Sequence, residues 1–248
     1  TDSTWLVEIS NSRFEDITRE IDIIEEIGRF YGFDNFSIHL PSIEKIGKKD
    51  SNYKIRTKIT NSLLNLGLTE FMNYSFTRQK NSIQLINPLF KEYSNLRSSL
   101  LPNLIELVSE NLNQKNRSIE GFEYGHVFHY DKFKSFQEHE YVSGIFGGSK
   151  TKLFWKEKEF ALNWFEAKGK IERFLSQLNL EIYWKKPQSF IDYELFHSYR
   201  SAQIYTKTNQ LLGIFGQINP ILANQLNLSS ELYLFEFNIQ MIKSYSQT

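Results

Sequence analysis

Residues 201–239 read SAQIYTKTNQLLGIFGQINPILANQLNLSSELYLFEFNI, and this stretch decides the predicted fold. It holds three apolar runs typical of strands, near 201–206, 211–218 and 231–239. Asn219-Pro220 lies between the last two runs and is a good start for a short helix, because proline is tolerated in a first helical turn. Long strands with segregated helices indicate an α+β protein rather than alternating β-α-β units.

The rest of the chain continues this pattern. Apolar residues at helical spacing predict four further helices, at 19–31, 55–66, 99–115 and 164–178. Alternating or apolar runs predict further strands at 5–9, 70–76, 119–129, 140–147 and 181–184. A connector from Asp34 to Asp50 contains Pro41 and a basic run, so we place a domain boundary within it. The predicted domains are residues 1–44 and 45–248.

Composition excludes several classes of protein. The 248 residues are 40% hydrophobic and 23% charged, which is an ordinary globular composition, and no apolar run is long enough to predict a membrane span. Lys plus Arg and Asp plus Glu are 29 each, so bulk charge does not indicate nucleic-acid binding. Without Cys, disulfides and thiol catalysis are excluded, and a reducing compartment is favoured. The first residue is not Met, which suggests a chain cut from a longer protein.

Four carboxylates at the predicted helix 19–31 form the most chemical feature of the sequence. Asp22, Glu25 and Glu26 are spaced i, i+3 and i+4 and therefore share one helix face. Asp16 lies just before the helix, where a turn can bring it back toward the first coil. Such carboxylates repel one another, and a hard divalent cation such as Mg²⁺ would relieve that repulsion. Spacing alone does not choose Mg²⁺ over Ca²⁺ or Mn²⁺.

The alternative for these carboxylates is a solvated acidic face, which composition and spacing favour over a metal site. Acidic residues in a first helical turn complement the helix dipole. Arg13, Arg19 and Arg29 could neutralise them as surface ion pairs, each of which contributes little to stability.

A family resemblance enters through the stretch Arg13–Phe33, RFEDITREIDIIEEIGRFYGF. It resembles the end of the winged-helix-like domain in bacterial-type phenylalanine–tRNA ligase β subunits. Further matches follow in the family's order, at Leu66–Glu70, Asn87–Arg97 with Leu100–Pro102, Gly121–Phe128, Trp164–Gly169 and Gly213–Pro220. Their order and spacing identify the chain as a member of this family, and several variants look most like cyanobacterial and plastid members.

The resemblance implies a fold and a set of ligands. Residues 1–44 would be the tail of the winged-helix-like domain, and residues 45–248 a catalytically inactive, class II aminoacyl-tRNA synthetase-like core with an antiparallel sheet flanked by helices. In this family the positions that match Asp16, Asp22, Glu25 and Glu26 form a magnesium site shared with the α subunit. The resemblance therefore favours Mg²⁺ at these four residues, in a chiefly structural role.

The resemblance also implies that catalysis belongs to another chain. Class II synthetases hold ATP with a Phe-Arg-x-Glu motif, because a guanidinium fork matches phosphate oxygens. The corresponding strand, Ile119 to Phe128, has no Arg, and Gly213 to Pro220 has glycines but no Arg. We therefore expect no catalytic and no ATP-binding residue in this chain. Lys168 to Arg173 superficially resembles a synthetase motif, but its helical spacing predicts a solvated helix surface.

The five histidines carry no expected chemistry. None has a nucleophile at motif spacing, and His126 and His129 are predicted to be a surface pair or to make a tertiary hydrogen bond rather than to bind zinc. In the family, a His-Pro-Gly-Arg-x-Ala motif occupies the place of His197 to Ala202. Here Ser198 and Tyr199 replace the Pro and Gly, which puts a turn at that place in doubt.

The expected role is to dock the catalytic α subunit in an (αβ)₂ heterotetramer and to help position phenylalanine tRNA. The segment Asn87–Arg97 and the helix at 99–115 are the candidate docking elements, with Leu101, Leu104, Ile105, Val108 and Leu112 as the apolar stripe of the helix. The alternative is that this stripe is intramolecular core.

The plastid stroma is the favoured location, with the bacterial cytoplasm as the alternative. The alternative function is a free-standing RNA- or protein-binding module on a synthetase-like scaffold, which would work without an α subunit. A third possibility, an active enzyme with an unrecognised site, is disfavoured by the missing arginines.

Overall fold

A computed structural model describes residues 4–40, 42, 47–78, 83–116, 119–148, 162–187 and 194–246. The chain divides into two compact units, Thr1–Lys48 and Lys49–Thr248. The domain boundary predicted after residue 44, and Pro41 in the connector, lie outside the described residues.

The first unit is built around one helix, α1 (Glu20–Tyr31), with a short 3₁₀ turn before it at Asn11–Arg13 and another after it at Phe33–Asn35. The helix ends at Gly32, as predicted, and the φ of +91° there favours glycine. The strand predicted at 5–9 is wrong, because these residues form no ladder and Trp5 is 88% exposed. An apolar run becomes a strand only where another strand can pair with it.

The second unit contains the other helices and all the strands found in the described ranges. The helices are α2 (Ser51–Leu64), α3 (Leu101–Asn113), α4 (Trp164–Gln177), α5 (Pro220–Gln225) and α6 (Ile239–Ser246). The strands are β1 (Thr69–Glu70), β2 (Phe76–Thr77), β3 (Asn95–Leu96), β4 (Gly121–Tyr130), β5 (Phe136–Gly147), β6 (Ile182–Lys185), β7 (Phe196–Thr206), β8 (Leu211–Ile218) and β9 (Leu232–Asn238). Within the described parts of the chain, no helix is both long and apolar enough to cross a membrane.

The main sheet has the strand order β1-β4-β5-β9-β8-β7-β6 over the residues that are described. β1 runs parallel to β4, and every other pair in that order is antiparallel. The predicted α+β class with a mostly antiparallel sheet is therefore confirmed. Only the two ends of the strand predicted at 70–76 are paired with other strands. β1 joins the main sheet, and β2 pairs with β3 in a small separate sheet.

Helices cover both faces of the main sheet. Successive strand residues point to opposite faces, so β9 sends Tyr233, Phe235 and Phe237 to one side and Leu232 and Leu234 to the other. The first side packs against α2, α4 and α6, and the second against α3 and α5. The apolar runs that predicted strands are long because the central strands are buried on both faces.

Two glycines allow neighbouring chains to approach closely in this sheet. A Cβ on Gly144 of β5 would lie 2.3 Å from the Phe235 ring, and a Cβ on Gly213 of β8 would lie 2.0 Å from the Glu236 carbonyl oxygen. Glycine in a strand interior commonly marks such a contact.

The start of β7 is irregular. Its pairing with β8 shifts register between Phe196 and Ser201. The Nδ1 atom of His197 accepts hydrogen bonds from the backbone N–H groups of Tyr199 (3.1 Å) and Arg200 (3.2 Å). The histidine side chain thus holds a local kink at Ser198 and Tyr199, within the register shift of this strand.

Candidate functional site

The acidic helix α1 uses one of its carboxylates as a cap. Oδ2 of Asp22 accepts hydrogen bonds from the backbone N–H groups of Thr18 (3.0 Å) and Arg19 (2.8 Å). These donors hold the pKa of Asp22 below its usual value, since they bond to the ionised form. Asp22 therefore satisfies backbone donors that a helix start leaves unpaired.

Arg13 bridges two more of the predicted metal ligands. Its Nε donates to Oδ2 of Asp16 (2.9 Å), and one of its terminal nitrogens donates to Oε1 of Glu26 (2.8 Å). Arg29 donates to the other oxygen of Glu26 (2.6 Å). The Arg29 and Arg13 guanidinium groups lower the pKa of Glu26 through these hydrogen bonds. Asp16 and Glu26 thus form the ion pairs that were the alternative to a metal.

The four carboxylates are of the ligand type that a divalent cation prefers, but they do not surround a common position. Carboxylate oxygens are the ligands that Mg²⁺ prefers. Over the residues that the structure describes, however, no three His, Asp or Glu side chains are grouped closely enough to hold a metal ion. Glu25 is exposed on α1, and Arg13 takes the position between Asp16 and Glu26. A cation shared with a second chain would have to displace Arg13, and the magnesium site stays a prediction.

The first candidate docking element, helix α3, is explained by the fold. Leu101, Leu104, Ile105 and Val108 are all buried, and they pack with β5, β9 and α5. Leu112, the fifth residue of the predicted stripe, is partly buried and packs against the same cluster. The stripe is therefore part of the unit's own core rather than a free docking surface.

The second candidate, the segment 87–97, carries a real apolar surface. Within it Leu89 is 88% exposed and Phe90 is 63% exposed, and Ile86, the residue just before it, is fully exposed. Close by, a cavity of about 190 Å³ is lined by six side chains that we call the socket: Tyr74, Phe76, Leu85, Leu89, Phe90 and Tyr93. Exposed apolar surface of this kind marks protein-interaction sites.

A buried ion pair lies behind the socket. Arg97 and Glu123 each have only 3% of their side chain exposed, and Nη1 of Arg97 donates to Oε1 of Glu123 over 2.6 Å. Arg97 also donates to the carbonyl oxygens of His126 (2.9 Å) and Tyr74 (3.3 Å). Glu123 accepts from the side-chain amide of Asn73 (2.7 Å). Buried charges need such partners, because an unpaired ion is costly in a low-dielectric interior.

The Arg97–Glu123 pair is relevant to the expectation that this chain has no ATP site, because Arg97 lies close to strand β4. Glu123 is buried in β4, the strand on which a class II synthetase would place its phosphate-binding arginine. The guanidinium of Arg97 lies beside that strand, but its hydrogen bonds go to Glu123 and to backbone carbonyls. A guanidinium with these partners is not free to bind a nucleotide phosphate.

The remaining candidates have structural explanations. α4 buries Ile171 and Phe174, and Lys168 forms an ion pair with Glu172 (3.3 Å), so the predicted helix surface at 168–173 is confirmed. His129 stacks on His139 with ring centroids 4.8 Å apart.

His126 lies 3.8 Å from both Glu138 and Glu140. His126 and His129 are both exposed, as predicted, but each lies beside a different neighbour on β5 rather than beside the other. At the end of β5, Gly147 and Gly148 have positive φ, as in a turn.

The buried Arg97–Glu123 pair is the site feature that sequence reasoning missed. A signal was present, since Glu123 is a carboxylate within the otherwise apolar strand 121–128, and a charged residue in a buried strand requires a partner. The partner itself is 26 residues away and cannot be read from the pattern.

Comparison with protein families gives two matches. Residues 38–239 match the family described as the phenylalanyl tRNA synthetase beta chain CLM domain. Residues 1–33 match the tRNA synthetase B5 domain.

Curated relatives match nearly the whole chain. A chloroplastic phenylalanine–tRNA ligase beta subunit from Phaeodactylum tricornutum is 51% identical over 98% of this chain and 35% of the relative. Its counterpart from Porphyra purpurea is 37% identical over 95% of this chain and 33% of the relative. A phenylalanine–tRNA ligase beta subunit from Trichormus variabilis is 36% identical over 97% and 30%. The chain spans about a third of the length of these relatives.

Solved structures show the fold. The pyrrolysyl-tRNA synthetase of Desulfitobacterium hafniense aligns with a TM-score of 0.56 at 11% identity, over 97% of this chain and 82% of that chain. A structure of PylSc, a pyrrolysyl tRNA synthetase from the same organism, aligns with a TM-score of 0.53 at 14% identity, over 77% and 67%. These neighbours are class II synthetases, so the predicted synthetase-like core is confirmed at the level of fold.

Proposed function

Because the chain belongs to the phenylalanyl-tRNA synthetase β-chain family, we propose that it is a stretch of a phenylalanine–tRNA ligase β subunit that supports aminoacylation without performing the chemistry. The observation that carries this proposal is the 51% identity to a β subunit over 98% of the chain. The partners we propose are a catalytic α subunit, in an (αβ)₂ heterotetramer, and phenylalanine tRNA.

The proposed docking surface for the α subunit is the socket with the exposed side chains beside it. Leu89, which lines the socket, and Ile86, the chain neighbour of the socket residue Leu85, are left in water by the unit's own packing. Burying them against a second chain would contribute about 25 cal/mol for each Å² of apolar surface removed from water. The apolar stripe of α3 takes no part in this surface.

We propose that ATP binds only to the α subunit. Two observations support this proposal. Arg97 donates its hydrogen bond to Glu123, and residues 119–128 contain no Arg. Titration of the isolated chain with ATP, followed by calorimetry, should give no binding in the micromolar range. Micromolar affinity would instead indicate an active core.

For Asp16, Asp22, Glu25 and Glu26 we propose a Mg²⁺ ion shared with the α subunit. Such a cation would neutralise facing carboxylates and join the two chains. Before it binds, Arg13 and Arg29 hold Asp16 and Glu26 in place through the ion pairs described above. Docking would then exchange the Arg13 contacts for contacts to the cation.

We further propose that residues 1–44 are the tail of a winged-helix-like domain. α1 leaves Ile21, Ile24 and Ile27 exposed, and their spacing puts them along one side of the helix. An amphipathic helix with an open apolar stripe normally packs against further segments of its domain. The proposed location is the plastid stroma, supported by relatives named as chloroplastic, and the bacterial cytoplasm is the alternative because other relatives come from cyanobacteria.

The test is association with a matching α subunit. The two proteins would be produced together and examined by sedimentation velocity with and without Mg²⁺. Association should strengthen with Mg²⁺, and the double variant Asp22→Asn with Glu26→Gln should lose that effect. Asparagine can still cap the helix, so α1 is preserved while the charge is removed.

The matched control removes two exposed carboxylates elsewhere, Glu138→Gln with Glu181→Gln. This variant should respond to Mg²⁺ as the unaltered chain does. If no complex forms at micromolar concentration under any condition, the proposed docking role is wrong and a free-standing binding module becomes the better explanation.

A further inference from the structure

One wall of the socket is formed by Tyr74, in the segment that joins β1 to β2. Residues 71–75 belong to neither strand, although the Phe71 N–H donates to the Phe122 carbonyl oxygen of β4 (2.7 Å). The carbonyl oxygens of Tyr74 and Ser75 bond to the Asn103 side chain and to Arg97. The Tyr74 carbonyl oxygen accepts from Arg97 (3.3 Å) and from the Asn103 amide (2.9 Å), and the Ser75 carbonyl oxygen accepts from the Arg97 backbone N–H (3.0 Å).

The buried Arg97–Glu123 pair therefore holds this wall at Asn73, Tyr74 and Ser75. Asn73 is tied to Glu123, and Glu123 is tied to Arg97. Gly125 makes room for the pair, since a Cβ at this position would lie 2.4 Å from a guanidinium nitrogen of Arg97. Tyr74, which this arrangement positions, lines the socket, and Phe76 of the adjoining strand β2 lines it as well. The backbone that carries the Tyr74 side chain is thus held by an ion pair that is itself buried.

The size and lining of the socket define its occupant. Its walls are the six apolar or aromatic side chains named above, around about 190 Å³. An apolar cavity of about 150 Å³ in another protein takes up benzene, so one phenyl or branched aliphatic side chain fits here.

The charges around the socket favour a protein over a nucleic acid. An adjoining cavity is lined by Glu106 and Glu110, with no lysine or arginine among its described lining residues. Arg78 lies over the ring of the socket residue Tyr93 and pairs with Glu106 (3.4 Å) and Glu92 (3.8 Å). The carboxylates of Glu92, Glu106 and Glu110 therefore outnumber this guanidinium. A phosphate backbone would be repelled there, whereas a basic residue beside an apolar anchor would be attracted.

We propose that the socket receives one bulky apolar side chain of the α subunit, flanked by a basic residue, and that Arg97 is the positioning residue that keeps the socket formed before docking. This inference rests on the proposed docking function. A preformed socket spares the complex the cost of ordering residues 73–76 on association, which lowers the rate of dissociation and strengthens binding.

The experiment uses the complete protein that contains this chain, together with its α subunit. Leu89→Asp puts a charge into the socket and should weaken association about tenfold or more, as for an anchor in a desolvated pocket. The matched control is Phe133→Asp, since Phe133 is 90% exposed in the turn between β4 and β5 and lines no part of the socket. The control should bind within about twofold of the unaltered protein.

The positioning role is tested separately. The double variant Arg97→Met with Glu123→Gln removes both charges with little change in length, so no lone buried ion is left. In the protein without its α subunit, amide hydrogen exchange of residues 73–76 should accelerate about tenfold or more while the circular dichroism spectrum is unchanged. Association with the α subunit should weaken about tenfold, and Arg97→Lys, which keeps the charge, should recover part of it.

The outcomes separate the two ideas. Normal binding by Leu89→Asp would reject the socket as a docking surface, and with it both proposals for this surface. Weak binding by Leu89→Asp with normal binding by the double variant would leave docking intact but overturn the positioning role of Arg97. Unchanged exchange of residues 73–76 in the double variant would overturn it as well.

Discussion

At the scale of single residues, two arginines neutralise carboxylates, one at the surface and the other in the interior. Arg13 lies between two carboxylates at a surface, with 39% of its side chain exposed, and such pairs contribute little to stability. Arg97 meets one carboxylate in the interior, where removing a partner leaves a charge that water cannot reach. The first arrangement can therefore be exchanged for other contacts, while the second must stay in place.

Arg13 should act as a competitor of a divalent cation. We expect Arg13→Gln to raise the affinity of the chain for Mg²⁺ about three- to tenfold, because exposed ion pairs of up to about 1 kcal/mol each no longer have to be broken. Isothermal titration calorimetry with MgCl₂ measures this, and Arg173→Gln on the exposed side of α4 is the control. Equal affinity in all three proteins would argue against binding at Asp16 and Glu26.

Arg97 should be strongly coupled to Glu123. Arg97→Met alone should lower the free energy of unfolding by about 3–5 kcal/mol, since it strands the Glu123 charge in the core. The double variant Arg97→Met with Glu123→Gln should lose less than the sum of the two single variants. Urea unfolding followed by circular dichroism gives these values, and strict additivity would mean that the two side chains do not interact.

At the scale of elements, the close packing of the central strands depends on glycines at two positions. Gly144 of β5 lies against the Phe235 ring of the neighbouring strand, and Gly213 of β8 lies against the backbone of β9. The Phe235 ring packs against the rings of Phe146 and Phe174, with a centroid distance of 6.3 Å to each. The positions of the central strands are therefore determined by the packing of their side chains as well as by backbone hydrogen bonds.

Two Gly→Ala variants should have opposite effects. Gly144→Ala should lower the free energy of unfolding by about 1–3 kcal/mol, because the new methyl group would overlap Phe235. Gly169→Ala in α4 should raise it by about 0.5–1 kcal/mol, because nothing lies within 4 Å of the new Cβ and alanine favours a helix. Thermal unfolding of the two variants beside the original chain measures both, and a stabilised Gly144→Ala would contradict the packing described for β5 and β9.

At the scale of the whole molecule, the stability of the chain resides in its second unit. In the described parts of residues 1–48 no side chain is buried, whereas the second unit has two apolar clusters, one on each face of its sheet. A single 12-residue helix is marginal in water without packing partners.

Residues 49–248 should therefore fold without residues 1–48. We expect the shortened protein to unfold cooperatively at a Tm within about 4 °C of that of the full chain, which for a domain of this size corresponds to about 1 kcal/mol. Differential scanning calorimetry measures this. A peptide of residues 1–48 should show little helix by circular dichroism, and the loss of cooperative unfolding in 49–248 would show that the first unit is part of the core.

The sequence by itself determined the types of element, the α+β class and the family of this protein. Periodicity of apolar residues is a local property, so the helices at α1 to α4 and the long strands at β4, β5, β8 and β9 were predictable from a few neighbouring residues. The four carboxylates of the candidate metal site were also visible, because i, i+3 and i+4 spacing on a helix is local too.

Only the tertiary structure decided which strand pairs with which and what each apolar or charged side chain meets. It placed the stripe of α3 in the core, left residues 5–9 without a strand partner, and split the strand predicted at 70–76 between two sheets. It also brought Arg97 to Glu123 and Arg13 to Glu26. These contacts join residues far apart in the chain, and their energies depend on burial and on the dielectric around them, which no local pattern contains.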